Sequence, residues 1–453
     1  MNYKFVDFNE HYTANEENEQ LITDENTNKV VSVNIAEELM NFVNLWNEDS
    51  IDDAHKLLET IVLSIHDKKA YCDPIFCFNN FIEIIVSMIF TNSHHKDSII
   101  ALYCIQGLMK YGFEDELSSL INDDLINRVF EILNQWNTEE VATCIEMLNL
   151  IVYTNPDFST EITKKILIPL FDKAFESENQ IQAVFSHFIY IVCQHIDDDD
   201  TKIHILELLI LLLKQSINRI DSYSQEVIYL SIGLLADTSN SFEIIQKLNF
   251  NIDIWKYIDT SISYPERLFE VLTHLVINAP YLFELETKII LKNLQKNIPD
   301  LQWSVLKFLI AAVSTYPQHP FFTNPDFIQT FFTIANGDIF SLRKSANTVI
   351  CMMMSYFNLE FLDIYVKNGL IEAEIGFLDE SLSNSRISKN ISALLALLNK
   401  YQPNYSSIID RILQVDGLTI FNDMLETTID DNELYHLIQF ELLERYFSNY
   451  LNE

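Results

Sequence analysis

Glycine is nearly missing from this chain. Across 453 residues only seven occur, at positions 107, 112, 233, 337, 369, 376 and 417. Hairpin turns, β-bulges and tight strand–helix loops need backbone at positive φ, which glycine supplies at the least cost. Average usage is about 7%. So few glycines exclude extensive sheet and predict an all-α chain of helices joined by polar turns. Length adds a second constraint. A single hydrophobic core stops growing near roughly 250–300 residues, so a chain that is 48% hydrophobic must divide into domains or repeat.

The helix-breaking residues decide for repetition. Long apolar segments are followed in turn by Gly112, Pro156, Asp197, Thr238, Pro280, Pro317, Asn358 and Pro403, at steps of 44, 41, 41, 42, 37, 41 and 45 residues. Proline stops a helix because it lacks an N–H and fixes φ. Within the segments apolar residues follow i, i+3, i+4, i+7, as in Leu306, Leu309, Ile310 and Val313, or Ile391, Leu394, Leu395 and Leu398. Between breaks lies a second amphipathic helix. A period of about 40 residues with two or three helices per unit is the armadillo/HEAT signature, and such units bury their apolar faces only by stacking. The expected fold is an all-α, armadillo/HEAT-type right-handed superhelical solenoid of about nine helical repeats. No Gly/Ser/Pro-rich linker interrupts it. We expect one solenoid over residues 34–453, with a degenerate first repeat at 34–90 and a capping repeat over about 384–453. Residues 1–33 carry seven acidic residues against Lys4 and Lys29 and read as an acidic, disordered arm.

Charge bears on partners. The chain has 29 Lys and Arg against 66 Asp and Glu, a net charge of −37. A field of this sign repels nucleic acid and anionic membranes and attracts a basic protein or peptide. The same charge also serves to keep a long apolar solenoid soluble. No apolar run reaches the roughly 18 residues of a membrane span. The first twenty residues lack the basic-then-apolar order of a signal peptide. Cysteines 72, 77, 104, 144, 193 and 351 read as buried reduced thiols, which places the protein in the cytoplasm or nucleus.

Two segments sharpen the repeat reading. VKNGLIEAEIGFL (366–378) resembles the turn between the short and second helices of an armadillo repeat. QVDGLTIFNDMLETTIDDNELYHLIQFELLERYF (414–447) resembles the final repeat of the importin-α family, and SLRKSANTVICMMMSYF (341–357) is similar to its groove-lining helices. The resemblance implies that an extended basic peptide, a nuclear localisation signal, lies along the concave face. There tryptophans would flank lysine stems and asparagines four residues on would hold the peptide backbone, with importin-β or nuclear cargo as partners. Indole faces attract ammonium groups, and asparagine offers donor and acceptor together. The carry-over is incomplete. Trp46, Trp136, Trp255 and Trp303 are followed at i+4 by Ser50, Glu140, Asp259 and Lys307, and the arm is acidic where the family's is basic. Pairs that keep the spacing are Tyr103 with Gly107, Tyr229 with Gly233, and His274 with Asn278. With Phe185 and Trp303 they form the expected partner groove.

Motifs for catalysis are missing from the sequence. Gly107 and Gly112 have phosphate-loop spacing, but Phe113 stands where lysine is needed. Cys72 and Cys77 have no matching second pair. The Asp197–Asp200 run beside His195 and His204 reads as solvated charge at a repeat boundary. The sequence therefore predicts a protein-binding adaptor with an acidic groove, not an enzyme, with no cofactor and no metal. The alternative is a scaffold subunit of a signalling or cytoskeletal complex. The two differ in where the acid sits: on the groove helices for the first, away from them for the second.

Overall fold

The structure, a computed structural model, describes residues 33–34, 36–66, 70–71, 80–90, 95–110, 121–238, 240–260, 264–380, 383–429 and 431–450. The acidic arm expected over 1–33 (Val33 excepted), Gly112, Cys72 and Cys77 lie outside them. Backbone packing divides the chain into two compact units, Met1–Leu120 and Ile121–Glu453.

In the first unit α1 (Ala36–Asn47) packs on α2 (Ile51–His66), and α4 (His95–Lys110) packs on both α2 and α3 (Phe81–Phe90). Leu39, Phe42, Leu58, Phe81, Ile85 and Leu102 form its core. Phe42 meets Phe81 edge to face at 5.5 Å, the geometry that aligns ring edge with ring face. A two-residue parallel bridge joins β1 (Val33–Asn34) to β2 (Ala70–Tyr71).

The second unit is a two-layered stack of helices. Its first layer is a row of seven long helices: α6 (Thr138–Thr154), α9 (Asn179–His195), α11 (Ser222–Ala236), α14 (Pro265–Asn278), α16 (Pro299–Thr315), α18 (Phe340–Tyr356) and α21 (Asn384–Lys400). Each packs against the next. Each also ends two or three residues before the break expected for it, Ala236 before Thr238 and Tyr356 before Asn358 for example. The reason is local. Pro156 and Pro280 open 3₁₀ turns, and the Asn358 side chain accepts from Phe361 N–H to cap the next helix.

The remaining helices, most of them shorter, form the other layer. In chain order they are α5 (Asp123–Gln135), α7 (Ser159–Ile162), α8 (Ile168–Phe175), α10 (Asp199–Ser216), α12 (Ser241–Lys247), α13 (Phe250–Thr260) and α15 (Thr287–Leu294). The layer continues with α17 (Pro325–Ala335), α19 (Leu359–Lys367), α20 (Leu370–Leu378), α22 (Ser406–Gln414) and α23 (Gly417–Thr427). After these, α24 (Asn432–His436) runs into a π-helical segment, Leu437–Glu444, that packs on α21.

Aromatic side chains fill the space between layers. Trp255 of α13, Phe269 of α14 and Phe308 of α16 form a triad with centroids 5.7–6.4 Å apart. Phe269 and Phe308 have no exposed surface, and burying such a ring contributes on the order of 2–3 kcal/mol. Each unit of the stack therefore depends on its neighbours for its core. Gly369, at φ 108°, starts α20, where only glycine escapes the steric cost of the left-handed region.

Candidate functional site: the outer face of the long-helix row

A long helix in this row is flanked by two others and backed by the second layer, so only a narrow stripe of each meets solvent. On α16 the stripe is Asp300, Trp303, Lys307, Ile310 and Ser314; on α21 it includes Ser385, Lys389, Ser392 and Asn399. Exposed apolar residues stand near the C-terminal ends, among them Tyr153, Leu234, Ile277 and Tyr356.

The expected groove residues do not gather on this face. Tyr103 and Gly107 belong to the first unit, where Tyr103 is half-buried and Gly107 buried. Phe185 and Tyr229 have no exposed surface, a correction to their assignment: their stripe of α9 and α11 faces the core, and Phe185 meets Phe171 and Phe188 there. Gly233 is half-buried, with room for a methyl group 3.7 Å from Val271. His274, Asn278 and Trp303 reach the stripe, and Gly233 brings no side chain to it.

Those three already have partners within the chain. Asp237, the residue after α11, accepts from the Asn278 amide at 2.7 Å and lies 3.1 Å from His274 Nδ1. The Lys307 ammonium sits over the Trp303 ring, 3.4 Å from its centroid, and desolvation holds its pKa below that of an ordinary lysine. A cation–π contact of the kind the resemblance implies for cargo is therefore made by the chain's own lysine. Trp136 is met likewise by Lys173 at 4.5 Å, and Trp255 is buried.

Charge on the row is split. Helix α6 carries Glu139, Glu140 and Glu146, α9 no charged residue other than histidine, α11 Glu226, and α14 Glu266 and Glu270 beside Arg267. Arg267 bridges to Glu226 at 3.0 Å and to Glu270 at 3.2 Å. On α16 Asp300 offsets Lys307. Helices α18 and α21 then carry Arg343, Lys344, Arg386, Lys389 and Lys400, and no acidic residue. The row as a whole is neutral in a chain of charge −37, so the uniformly acidic groove expected from composition is not what these helices present. Acid lies instead in turns and in the other layer. This distribution escaped sequence reasoning because net charge carries no positional information.

Where α18, α20 and α21 meet, a polar cluster is buried. Asn347 donates to Glu374 at 2.7 Å, and the Cys351 thiol lies 2.9 Å from Asn390 Oδ1. Burial pushes the Glu374 carboxyl up to about 8, against a smaller opposing effect of the Asn347 hydrogen bond. Burial, aided by Glu374, also raises the Cys351 thiol well above its ordinary value, which makes it a poor nucleophile. Cys104, Cys144 and Cys193 are likewise buried. No group of three or more His, Cys, Asp or Glu among the described residues could hold a metal ion. No described helix is long and apolar enough to cross a membrane. An open cleft of about 560 Å³ beside α21 is lined by Asn384, Thr427, Thr428, Asp431, Asn432 and Glu433, and both of its threonine hydroxyls donate to the Met424 carbonyl.

No protein-family model and no curated protein matches the sequence. Among solved structures, the fold is similar to that of an engineered protein, at 14% identity over 91% of this chain and 98% of the other, with a TM-score of 0.65. It is also similar to a chain of the beta-catenin–cadherin phosphorylation-switch study, at 12% identity over 84% and 73% of the two chains and a TM-score of 0.53. A third similarity is to the structure of Kap95p with RanGDP, at 14% identity over 83% of this chain and a TM-score of 0.50. Only 54% of that chain is spanned. At these identities the likeness is one of fold, an all-α armadillo/HEAT-type solenoid.

Proposed function

We propose that this chain is a non-enzymatic protein-binding scaffold that holds a partner polypeptide along the outer face of α6–α21. The observation that carries the reading is the continuous long-helix row. It offers seven adjacent solvent stripes of polar groups, with exposed apolar residues added on α6, α11, α14 and α18, and the cleft found among the described residues is open rather than enclosed as enzyme pockets are. Acid on α6, α11 and α14 supports a basic segment of the partner at that end, where attraction would speed encounter and fade with salt.

The neutral sum over the row favours this scaffold reading over a dedicated receptor for nuclear signals, which needs acid along the whole groove. A fluorescein-labelled lysine-rich peptide, titrated at low and moderate ionic strength, tests the reading. Binding should weaken with salt and should drop several-fold when Glu266 and Glu270 are both changed to Gln. Binding that ignores both salt and substitution would remove α14 from the site. The import form of the reading further requires capture of purified importin-β by the full chain, and no capture would confine the protein to scaffolding.

A further inference from the structure

Helices α18 and α21 reverse the charge of the rest of the row, and three features make the reversal usable. First, it opposes the helices' own electrostatics. Arg386 is the third residue of α21, and Arg343 and Lys344 lie in the first two turns of α18. The positive end of the helix dipole favours acid there and disfavours base. Local rules broken in this way concentrate at functional sites.

Second, part of the positive charge, that of Arg386 and Lys389, is left over. Arg343 is neutralised by Glu380 at 2.9 Å, and Lys400 donates to main-chain carbonyls. Arg386, however, donates only to neutral groups of α18, the Lys344 carbonyl at 3.3 Å and Thr348 Oγ1 at 3.5 Å. Lys389 is exposed. Among the described residues neither Arg386 nor Lys389 has a carboxylate within ion-pair distance. Third, the surrounding stripe carries further hydroxyls, Ser341, Ser385, Ser388 and Ser392, which can donate to carboxylate oxygens without adding charge.

We propose that the α18–α21 end of the row receives an acidic stretch of the partner, so that the partner is a segment with a basic block and an acidic block. The proposal rests on the reading of the row as the partner face. Helices pack about 10 Å apart, so the four steps from α11 to α21 cover about 40 Å, the reach of roughly twelve extended residues. Partners of mixed but alternating charge, uniformly acidic chains and nucleic acid all fit this split face less well. The net charge of −37 repels the last at long range.

The test uses the full chain and four labelled probes read by fluorescence anisotropy. They are a lysine-block peptide, a glutamate-block peptide, the two blocks joined, and an alternating Lys/Glu peptide of the same composition. The joined blocks should bind at least tenfold tighter than the alternating peptide. Lys389→Glu, checked for intact helix content, should erase that advantage and leave the lysine block unaffected, and Arg386→Gln should reduce it. Equal binding of the joined and alternating peptides, with the lysine block still bound, overturns the charge-split proposal and leaves the scaffold reading standing. No binding of any peptide overturns the scaffold reading itself. A single-stranded oligonucleotide that binds more tightly than the glutamate block assigns the patch to nucleic acid and overturns the proposal.

Discussion

Asn347 donates a 2.7 Å hydrogen bond to Glu374, a carboxyl group with no exposed surface at the junction of α18, α20 and α21. The pair ties two consecutive units of the stack together through an acid that burial holds protonated up to about pH 8. An isolated buried carboxylate would cost several kcal/mol, so the neutral form is the one the fold accommodates.

Stability should therefore depend on pH in a defined direction. The native pKa is raised, so between about 4.5 and about 8 the unfolded chain has released a proton that the native chain retains. The stabilisation is complete below the unfolded value and is lost as pH rises through the native one, at roughly 1.4 kcal/mol per pH unit in between. Glu374→Gln keeps a neutral acceptor for Asn347 and removes the titration. It should raise stability at neutral pH by on the order of 2–3 kcal/mol and flatten the pH profile in urea unfolding. A profile unchanged by the substitution would mean that Glu374 is ionised in the native state.

How much of this was legible in the sequence follows from range. Helix ends were, because the signals that stop a helix are local: Pro156, Pro280 and the Asn358 cap each act on the residues beside them. The outward stripe was not. Period 3.6 identifies an apolar arc, yet Ile310 and Leu395, predicted with their helices' core, are half-exposed. Tyr229, by contrast, predicted for the groove, is fully buried. An i, i+4 pair lies on one side of a helix without saying which side a neighbour covers. In a row where each internal helix has two flanking partners, that answer depends on residues about 40 positions away. The position of charge was lost for the same reason, since α18 and α21 become one basic patch only by packing side by side.

Trp303 offers a test of self-occlusion. With Lys307 over its face at 3.4 Å, Lys307→Ala should cost under about 1 kcal/mol, the worth of an exposed cation–π contact. It should also increase acrylamide quenching of tryptophan fluorescence, because Trp46, Trp136 and Trp255 keep their surroundings. Unchanged quenching would show that the indole face is covered from elsewhere.

Lys400 closes the end of the preceding long helix. Its ammonium donates to the carbonyls of Met354, Ser355 and Phe357 at 2.9, 2.6 and 2.8 Å, satisfying acceptors that α18 leaves free at its C-terminus. Burial lowers its pKa. Lys400→Met keeps the apolar stem and removes the donors, and it should cost on the order of 2 kcal/mol, as loss of a charged hydrogen-bond donor does. Urea denaturation that finds less than about 0.5 kcal/mol would make the contact an ordinary surface one.

Two glycines should respond to alanine with opposite signs. Gly417 begins α23, and a methyl group built there would stand 2.5 Å from Ile412 Cγ2 and 2.9 Å from the Ile412 carbonyl oxygen. The second of these is backbone and cannot swing away, so Gly417→Ala should destabilise by on the order of 1–3 kcal/mol through overpacking. Gly376 lies within α20, is exposed, and has nothing within 4 Å of the added carbon. Gly376→Ala should therefore stabilise by about 0.5–1 kcal/mol, the cost of glycine in a helix. Both substitutions fall in GL/IG segments that look alike in sequence, and only the packing separates them. Thermal melts of the two variants should move in opposite directions. If both fall, α20 is not a free helical surface at Gly376. If both rise, the close approach of α23 to Ile412 does not exist in solution.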